Sequence, residues 1–273
     1  MSRLAYESAS GGEAISLDGP PLFAETALPL RGTQASYKLS GRGAYALSRR
    51  AREVTIDVKS VDSFALAKLV RAMDRDALSG TPGRLVVDGE WSTMALAVGI
   101  ESKRITPWLS EIGVKLVLSD GAWRREARSE YMPATGSEGR DLDLPHDLPC
   151  DLLPPQPAVR VIVGGTAPAH FRLTVFGHAA NPAVVIGGNR YQVDATVPSG
   201  GYMVVDSLAG TVEITDADGG VSNAFGAARR GTGSGGGEYI FERLRPGENA
   251  VSWDNSFGFE LTVYEEEAAP PWS

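Results

Sequence analysis

The C-terminal part of the chain alternates between apolar and polar side chains, and this alternation constrains the fold more than any other feature. Phe171, Leu173 and Val175 are separated by Arg172 and Thr174. Because successive side chains of an extended chain point to opposite faces, one set is buried and the other is solvated. The pattern recurs, between turns rich in Gly, Asn and Asp, at 184–186, 191–193, 203–205, 212–214 and 257–263. The sequence therefore predicts a β-sandwich over residues 158–273.

The N-terminal part, residues 1–132, combines this strand pattern with a helix. Asp62 is a good N-cap residue, and the helix is expected to run to about Leu78, before a Gly-Pro-Gly-bearing turn. One continuous apolar stripe supports it: Leu66, Leu69, Val70, Met73 and Ala77. Strands are predicted at 54–58, 85–87, 91–100 and 111–119, with a hairpin at Asp88-Gly89. The expected module is a β-barrel or curled sheet with one covering α-helix, and the whole chain is mainly β.

Residues 133–157 have a different composition from both flanks. They contain six prolines, several acidic residues and almost no periodicity. Proline lacks the backbone donor and favours extended chain, so this stretch is predicted to be a semi-rigid interdomain linker.

The charge balance excludes one broad class of function. A formal net charge of −8 argues against a general nucleic-acid binder, which needs a cationic surface. The local exception is a basic run at residues 42–52. It is interpreted as a solvated strand edge or a set of interface donors in preference to a phosphate site, and Arg49, Arg50 and Arg52 are the candidate interface residues.

No constellation in the sequence predicts catalysis, a cofactor or a metal. The single cysteine, Cys150, lies in the proline-rich stretch, and His170 and His178 are too far apart on one extended strand to share a metal ion. Residues 231–236 satisfy GxGxxG, but a strand at 238–241 and not a helix is expected to follow them, so they are interpreted as a glycine-rich loop. Asp216 to Gly219 lacks the distal ligands of a calcium loop and is expected to be a turn. The protein is therefore predicted not to be an enzyme.

Trp253 has two possible roles. An exposed Trp on a sandwich face can stack on a sugar ring, but Val251 and Trp253 alternate with Ser252 and Asp254. This alternation favours core packing over ligand stacking.

Several segments together resemble the distal tail proteins of siphophages. In the N-terminal module these are the arginine-rich strand entry at 48–53, the single helix, the hairpin, and the segment Asp120-Gly121-Ala122-Trp123, where the family usually has Asp-Pro before the aromatic residue. In the C-terminal module residues 176–184 resemble the "G…NP" strand-turn-strand signature. Residues 244–249 resemble the "L-x-P-G-x-N" turn, in which Pro246 presets φ and Gly247 accepts a positive φ.

The resemblance implies a structural protein of the virion, made in the host cytoplasm and located at the distal end of the phage tail. The N-terminal domains would form a hexameric ring that joins the tail tube to the tail-tip or baseplate host-recognition apparatus, and the C-terminal domain would be galectin-like. Its implied partners are further copies of itself, the tail tube protein, the tape measure protein and tail-associated hub or receptor-binding proteins. DNA would pass through the lumen without specific binding, and no membrane is involved.

Two other functions stay open at the level of sequence. The first is a carbohydrate-binding β-sandwich module that contacts host cell-surface glycans, with the glycine-rich loop and Trp253 near the ligand. The second is an enzyme acting on glycans, which lacks support because no nucleophile or paired-acid arrangement is evident.

Overall fold

The computed structural model describes residues 3–24, 28–33, 35–119, 121–133, 159–270 and 272. The chain divides into two compact units, Met1–Arg125 with Glu266–Ser273, and Glu126–Glu265. Apart from Pro133, the predicted linker 133–157 lies outside the described residues. The assignment of a ring-forming domain to 1–132 and an outer domain to 158–273 stays a prediction.

The first unit is an antiparallel sheet with helical cover. Its elements in chain order are β1 (Leu4–Glu7), β2 (Ile15–Ser16), β3 (Asp18–Gly19), β4 (Leu22–Phe23), α1 (Leu28–Arg31), β5 (Ser36–Ser40), β6 (Gly43–Ser48), β7 (Arg52–Ser60), α2 (Ser63–Ser79), β8 (Gly83–Val87), β9 (Trp91–Ile105), β10 (Ser110–Leu118) and the start of β11 (Trp123–Tyr131). Strand β9 pairs with β8, β10 and β11, while β7 pairs with β10 and β4. This confirms the predicted curled sheet and its hairpin, and adds the short helix α1, which the sequence did not predict.

Helix α2 forms where the apolar stripe predicted it. The Asp62 carboxylate accepts a hydrogen bond from the Phe64 amide at 2.8 Å, which satisfies an otherwise unpaired donor of the first turn. The helix ends at Gly80, whose φ of 67° is left-handed. Leu69 and Met73 are fully buried against the sheet. No helix in the described part of the chain, α2 included, is long and apolar enough to cross a membrane.

A buried carboxylate fastens α2 to the first strand. Asp76 is only 1% exposed, and its oxygens accept hydrogen bonds from the Tyr6 hydroxyl at 2.6 Å, the Ser8 hydroxyl at 2.8 Å and the Ala9 amide at 3.1 Å. Burial and the neighbouring Asp76 carboxylate together raise the pKa of Tyr6, so its phenol stays protonated and remains a donor. A buried charge is tolerated here because several donors replace its hydration.

Replacement of this carboxylate tests its contribution to stability. We expect Asp76→Ala to lower the free energy of unfolding by roughly 2–4 kcal/mol, since it leaves the buried Tyr6 hydroxyl without its acceptor. Asp74→Ala removes the same charge from an exposed position of the same helix and should change stability by less than about 0.5 kcal/mol. Urea unfolding followed by circular dichroism measures both, and equal effects would contradict the role of Asp76.

The second unit consists of two antiparallel sheets. Its elements are the end of β11, β12 (Val159–Val163), β13 (His170–Phe176), β14 (Ala179–Ala180), β15 (Ala183–Ile186), β16 (Asn189–Gln192), β17 (Thr196–Val197), β18 (Tyr202–Asp206), β19 (Thr211–Thr215), β20 (Val221–Asn223), a 3-10 turn (Phe225–Ala227), β21 (Gly247–Trp253) and β22 (Phe259–Glu267) up to Glu265. One sheet has the order β11-β22-β13-β18-β19-β20, and the other has the order β12-β21-β15-β16. Strands β14 and β17 form a separate pair.

The predicted alternation produces the core of this second unit. Phe171, Leu173 and Val175 of β13 are buried, and they share one core with residues of the other sheet such as Tyr191. The rings of Phe171 and Tyr191 meet edge to face, with centroids 4.9 Å apart. Because both sheets contribute their apolar faces to one core, the predicted β-sandwich is confirmed.

In the turn at residues 245–249, Gly247 and Asn249 each have a structural role in the chain reversal. Gly247 has a φ of 92°, as its place after Pro246 predicted. Asn249 is 4% exposed, and its Nδ2 donates to the carbonyl oxygens of Arg245 at 2.8 Å and Gly247 at 3.1 Å. The buried amide therefore satisfies two backbone acceptors that the reversal leaves unpaired.

Candidate assembly surface

Strands β5 and β6 of the first unit form a two-stranded ribbon that pairs with no other strand of the described chain. The Ser40 hydroxyl donates to the Gly43 carbonyl at 3.2 Å across the turn, where Gly43 has a φ of 136°. The glycine permits this backbone conformation, which other residues rarely adopt. The ribbon was not predicted from the sequence, because its alternation of apolar and polar residues is short.

The ribbon exposes three large side chains. Tyr37 is 57% exposed, Leu39 is 73% exposed and Tyr45 is 51% exposed. Tyr37 and Leu39 share one face of the ribbon, whereas Tyr45 is paired with Lys38 and lies on the other face. An isolated two-stranded hairpin is only marginally stable in water, and exposed apolar side chains on such an element commonly mark a contact surface. These two properties together make the ribbon a candidate for an assembly contact in the first unit.

The predicted interface arginines follow the ribbon directly. Arg49 and Arg50 are exposed between β6 and β7, and the Arg50 Nε donates to the Ser48 hydroxyl at 3.3 Å. Arg52 differs, because it begins β7 and is half-buried. Burial lowers the pKa of Arg52, and its buried Nε finds no acceptor among the described residues. Their role in an interface stays a prediction, with Arg49 and Arg50 the two accessible members.

The charge of this region is positive, although the whole chain carries −8. Glu53 is paired instead with Lys115 at 2.7 Å. Within the described residues neither Arg49 nor Arg50 forms an ion pair. We call the ribbon β5–β6 together with residues 49–52 the ribbon surface. It combines exposed apolar groups with uncompensated positive charge, which suits a partner of opposite charge.

The base of the ribbon surface packs on a glycine. Gly121 has a φ of 61°, and a Cβ at this position would overlap the carbonyl oxygen of Arg50. Glycine at position 121 therefore leaves room for the backbone of Arg50, which follows the ribbon. Asp120 itself lies outside the described residues.

A matched pair of glycine substitutions isolates this contact. Gly80 has a φ of 67° and open space around its Cα, so Gly80→Ala introduces left-handed strain alone, about 1 kcal/mol. Gly121→Ala adds the overlap with Arg50 and should be less stable than Gly80→Ala by roughly 1–3 kcal/mol. The midpoints of thermal unfolding compare the two variants, and similar midpoints would show that the backbone of residue 50 moves away without penalty.

Trp253 lies in the core of the second unit, as its alternation predicted. It is half-buried, and its indole Nε1 donates to the Phe257 carbonyl at 3.0 Å. Its ring meets those of Tyr131 and Phe259 edge to face, at 6.1 and 5.1 Å between centroids. These contacts favour core packing over ligand stacking for Trp253, as its alternation predicted.

The other motifs also have definite positions. Asp216 forms a turn, in which its Oδ1 accepts from the amides of Asp218 at 3.1 Å and Gly220 at 2.7 Å. Residues 231–236 form a loop of turns and bends as predicted. Residues 238–241 do not form the expected strand, and the Glu242 amide instead closes a turn by donating to the Tyr239 carbonyl at 3.0 Å. His170 Nδ1 lies 3.2 Å from the Ser207 hydroxyl, and Cys150 is outside the described residues.

The architecture is similar to that of solved phage hub and baseplate proteins. The Dit (gp 19.1) protein of phage SPP1 matches with a TM-score of 0.57 and 10% identity, over 98% of this chain and 99% of that chain. A chain of the phage P2 baseplate, in its activated conformation with Ca, matches with a TM-score of 0.55 and 9% identity, also over 98% and 99% of the two chains. No protein-family model and no curated protein matches the sequence.

These similarities span nearly the whole chain, so they cover the fold of both units. The resemblance to distal tail proteins is confirmed as a Dit-like, mainly β fold. Because the two sequences are only 10% identical, the similarity shows a shared fold and does not identify functional residues in this chain.

Proposed function

We propose that this protein is a structural component of the distal end of a phage tail. In this proposal it assembles into a homohexameric ring that joins the tail tube to the host-recognition apparatus, and its C-terminal unit is galectin-like. The fold similarity to the SPP1 hub protein and the phage P2 baseplate supports this role. Its partners would be the tail tube protein, the tape measure protein and tail-associated hub or receptor-binding proteins, with DNA passing through the lumen without specific binding.

The observation that supports assembly most directly is the ribbon surface. Tyr37, Leu39 and Tyr45 lie on a ribbon that no strand of its own unit covers. A second copy that contacts both faces of the ribbon would bury this apolar area, at a gain of about 25 cal/mol for each Å² removed from water. A ribbon on one copy that binds a different patch on the next copy makes a head-to-tail contact, which closes into a ring when the rotation permits.

Removal of the apolar side chains tests the ribbon contact. The triple variant Tyr37→Ser, Leu39→Ser and Tyr45→Ser is expected to shift the purified protein from a closed oligomer to monomers, because it removes the buried area of the contact. Light scattering coupled to size-exclusion chromatography measures the mass. Negative-stain images of the unaltered protein should show sixfold rings.

A second triple variant serves as the control. Leu78, Ile162 and Val221 are at least as exposed as the ribbon residues, at 82%, 75% and 64%, but lie elsewhere. Their replacement by serine should leave the oligomer intact. If the unaltered protein is monomeric, ring assembly is contradicted. If the ribbon variant remains an intact oligomer, the ribbon does not form the contact, but ring assembly is not contradicted.

Charge reversal tests the predicted arginines separately. We expect Arg49→Glu with Arg50→Glu to weaken assembly, more strongly at low salt, because the positive ribbon surface would then repel its acidic partner surface. Lys68→Glu with Arg71→Glu makes the same charge change on the exposed face of α2 and is the matched control. Equal dissociation constants for the two double variants, measured by sedimentation, would contradict a role for the arginines.

A further inference from the structure

A cavity of about 490 Å³ lies in the second unit, between the turn after β18 and residues 234–243. Its wall includes the rings of Tyr239 and Phe241 and the side chains of Leu208, Glu242 and Arg243. Small-ligand sites commonly have volumes of roughly 300–1,000 Å³, so this cavity has room for a ligand of one or two sugar rings.

Main-chain hydrogen bonds fasten the glycine-rich side of the cavity to the sandwich. The Arg190 amide donates to the Gly237 carbonyl at 2.8 Å, and the Arg229 amide donates to the Gln192 carbonyl at 2.9 Å. Ile240, between the two aromatic residues, is fully buried in the core. The cavity wall is therefore held by β16 and the core, which reduces the ordering that a ligand would have to impose.

Glu242 is positioned by the same loop. Its Oε2 accepts hydrogen bonds from the Ser234 hydroxyl and the Gly235 amide, both at 2.8 Å. No donor in the described part of the chain contacts its Oε1. A carboxylate oxygen with a fixed position and spare acceptor capacity can bind a hydroxyl group of a ligand.

Arg243 adds donors of opposite charge beside this acceptor. The side chain is exposed, and among the described residues it forms no ion pair or hydrogen bond. The cavity wall therefore contains one acidic and one basic side chain, which disfavours a strongly anionic or cationic ligand and favours a neutral ligand that both donates and accepts hydrogen bonds.

The aromatic side chains form a half-buried row. The Phe225 and Phe241 rings stack with centroids 5.9 Å apart, and Tyr239 meets Phe241 edge to face at 6.0 Å. Tyr239 and Phe241 both line the cavity and contribute apolar aromatic surface to its wall. A pyranose ring offers an apolar surface of C–H groups together with hydroxyl groups at its rim.

We propose that this cavity is a binding site for a neutral saccharide of one or two pyranose rings. The sugar packs on Tyr239, and its hydroxyl groups bond to Glu242 and Arg243. The site goes beyond the structural role above and does not depend on it. It is also distinct from the Trp253 site considered from the sequence, because Trp253 lies in the core.

Ligand-observed saturation-transfer NMR tests the site with the full chain. The probes are glucose, galactose, N-acetylglucosamine and a β-linked disaccharide of each, at millimolar concentration. At least one of these should bind, and Tyr239→Ala and Arg243→Ala should each weaken its affinity about tenfold. Tyr239→Phe keeps the ring and should bind as the unaltered protein does.

Tyr202→Ala is the matched control, since Tyr202 is a 42% exposed tyrosine of the same unit that does not line the cavity. Its affinity should equal that of the unaltered protein. If Tyr239→Ala lowers the melting temperature, the test relies on Arg243→Ala, because the Arg243 side chain is exposed and its replacement should not affect folding. Absence of binding by every probe, or binding that Arg243→Ala leaves unchanged, overturns the site. The oligomeric mass is measured separately, so failure here leaves the ring proposal intact.

Discussion

The first unit depends on the central position of β9. This strand pairs with β8, β10 and β11, and it also contacts α2. Its buried side chains alternate from Trp91 through Ala95 to Ala97, and the small alanines leave room for the helix to approach. β9 thereby joins these strands and the helix into one core. The ribbon β5–β6 pairs with no other strand of the described chain and is left at the surface.

The two candidate surfaces differ in the kind of partner that they suit. The ribbon surface presents Tyr37, Leu39 and Tyr45 on an element with little support of its own, and such an element gains most from another protein surface. The cavity of the second unit is instead concave, and its polar groups are held by a loop that Glu242 fastens. A cavity lined by both aromatic and polar side chains suits a small ligand. The two proposals therefore concern different units of the chain and are independent of one another.

Much of the fold and less of the candidate site could be predicted from the sequence. The alternation at 171–175 and the stripe around Leu69 predicted a sandwich and a covering helix, because burial on one face imposes a fixed period on any strand or helix. The arginines at 49–52 were recognised, but the ribbon beside them was not. The alternating apolar residues of the ribbon have the same sequence pattern as those of a half-buried strand. The pattern alone does not show whether its apolar face lies in a core or at the surface.

By itself the sequence determined the types of local structure, the chain reversal at Pro246-Gly247, and the burial of Trp253. Each follows from the conformational preference or periodicity of neighbouring residues. Only the tertiary structure decided that Asp76 is buried under three donors, that Arg52 is half-buried while Arg50 is exposed, and that Tyr239 and Glu242 meet the turn after β18 in one cavity. These arrangements join residues distant along the chain, and local patterns contain no information on which distant backbone groups will meet.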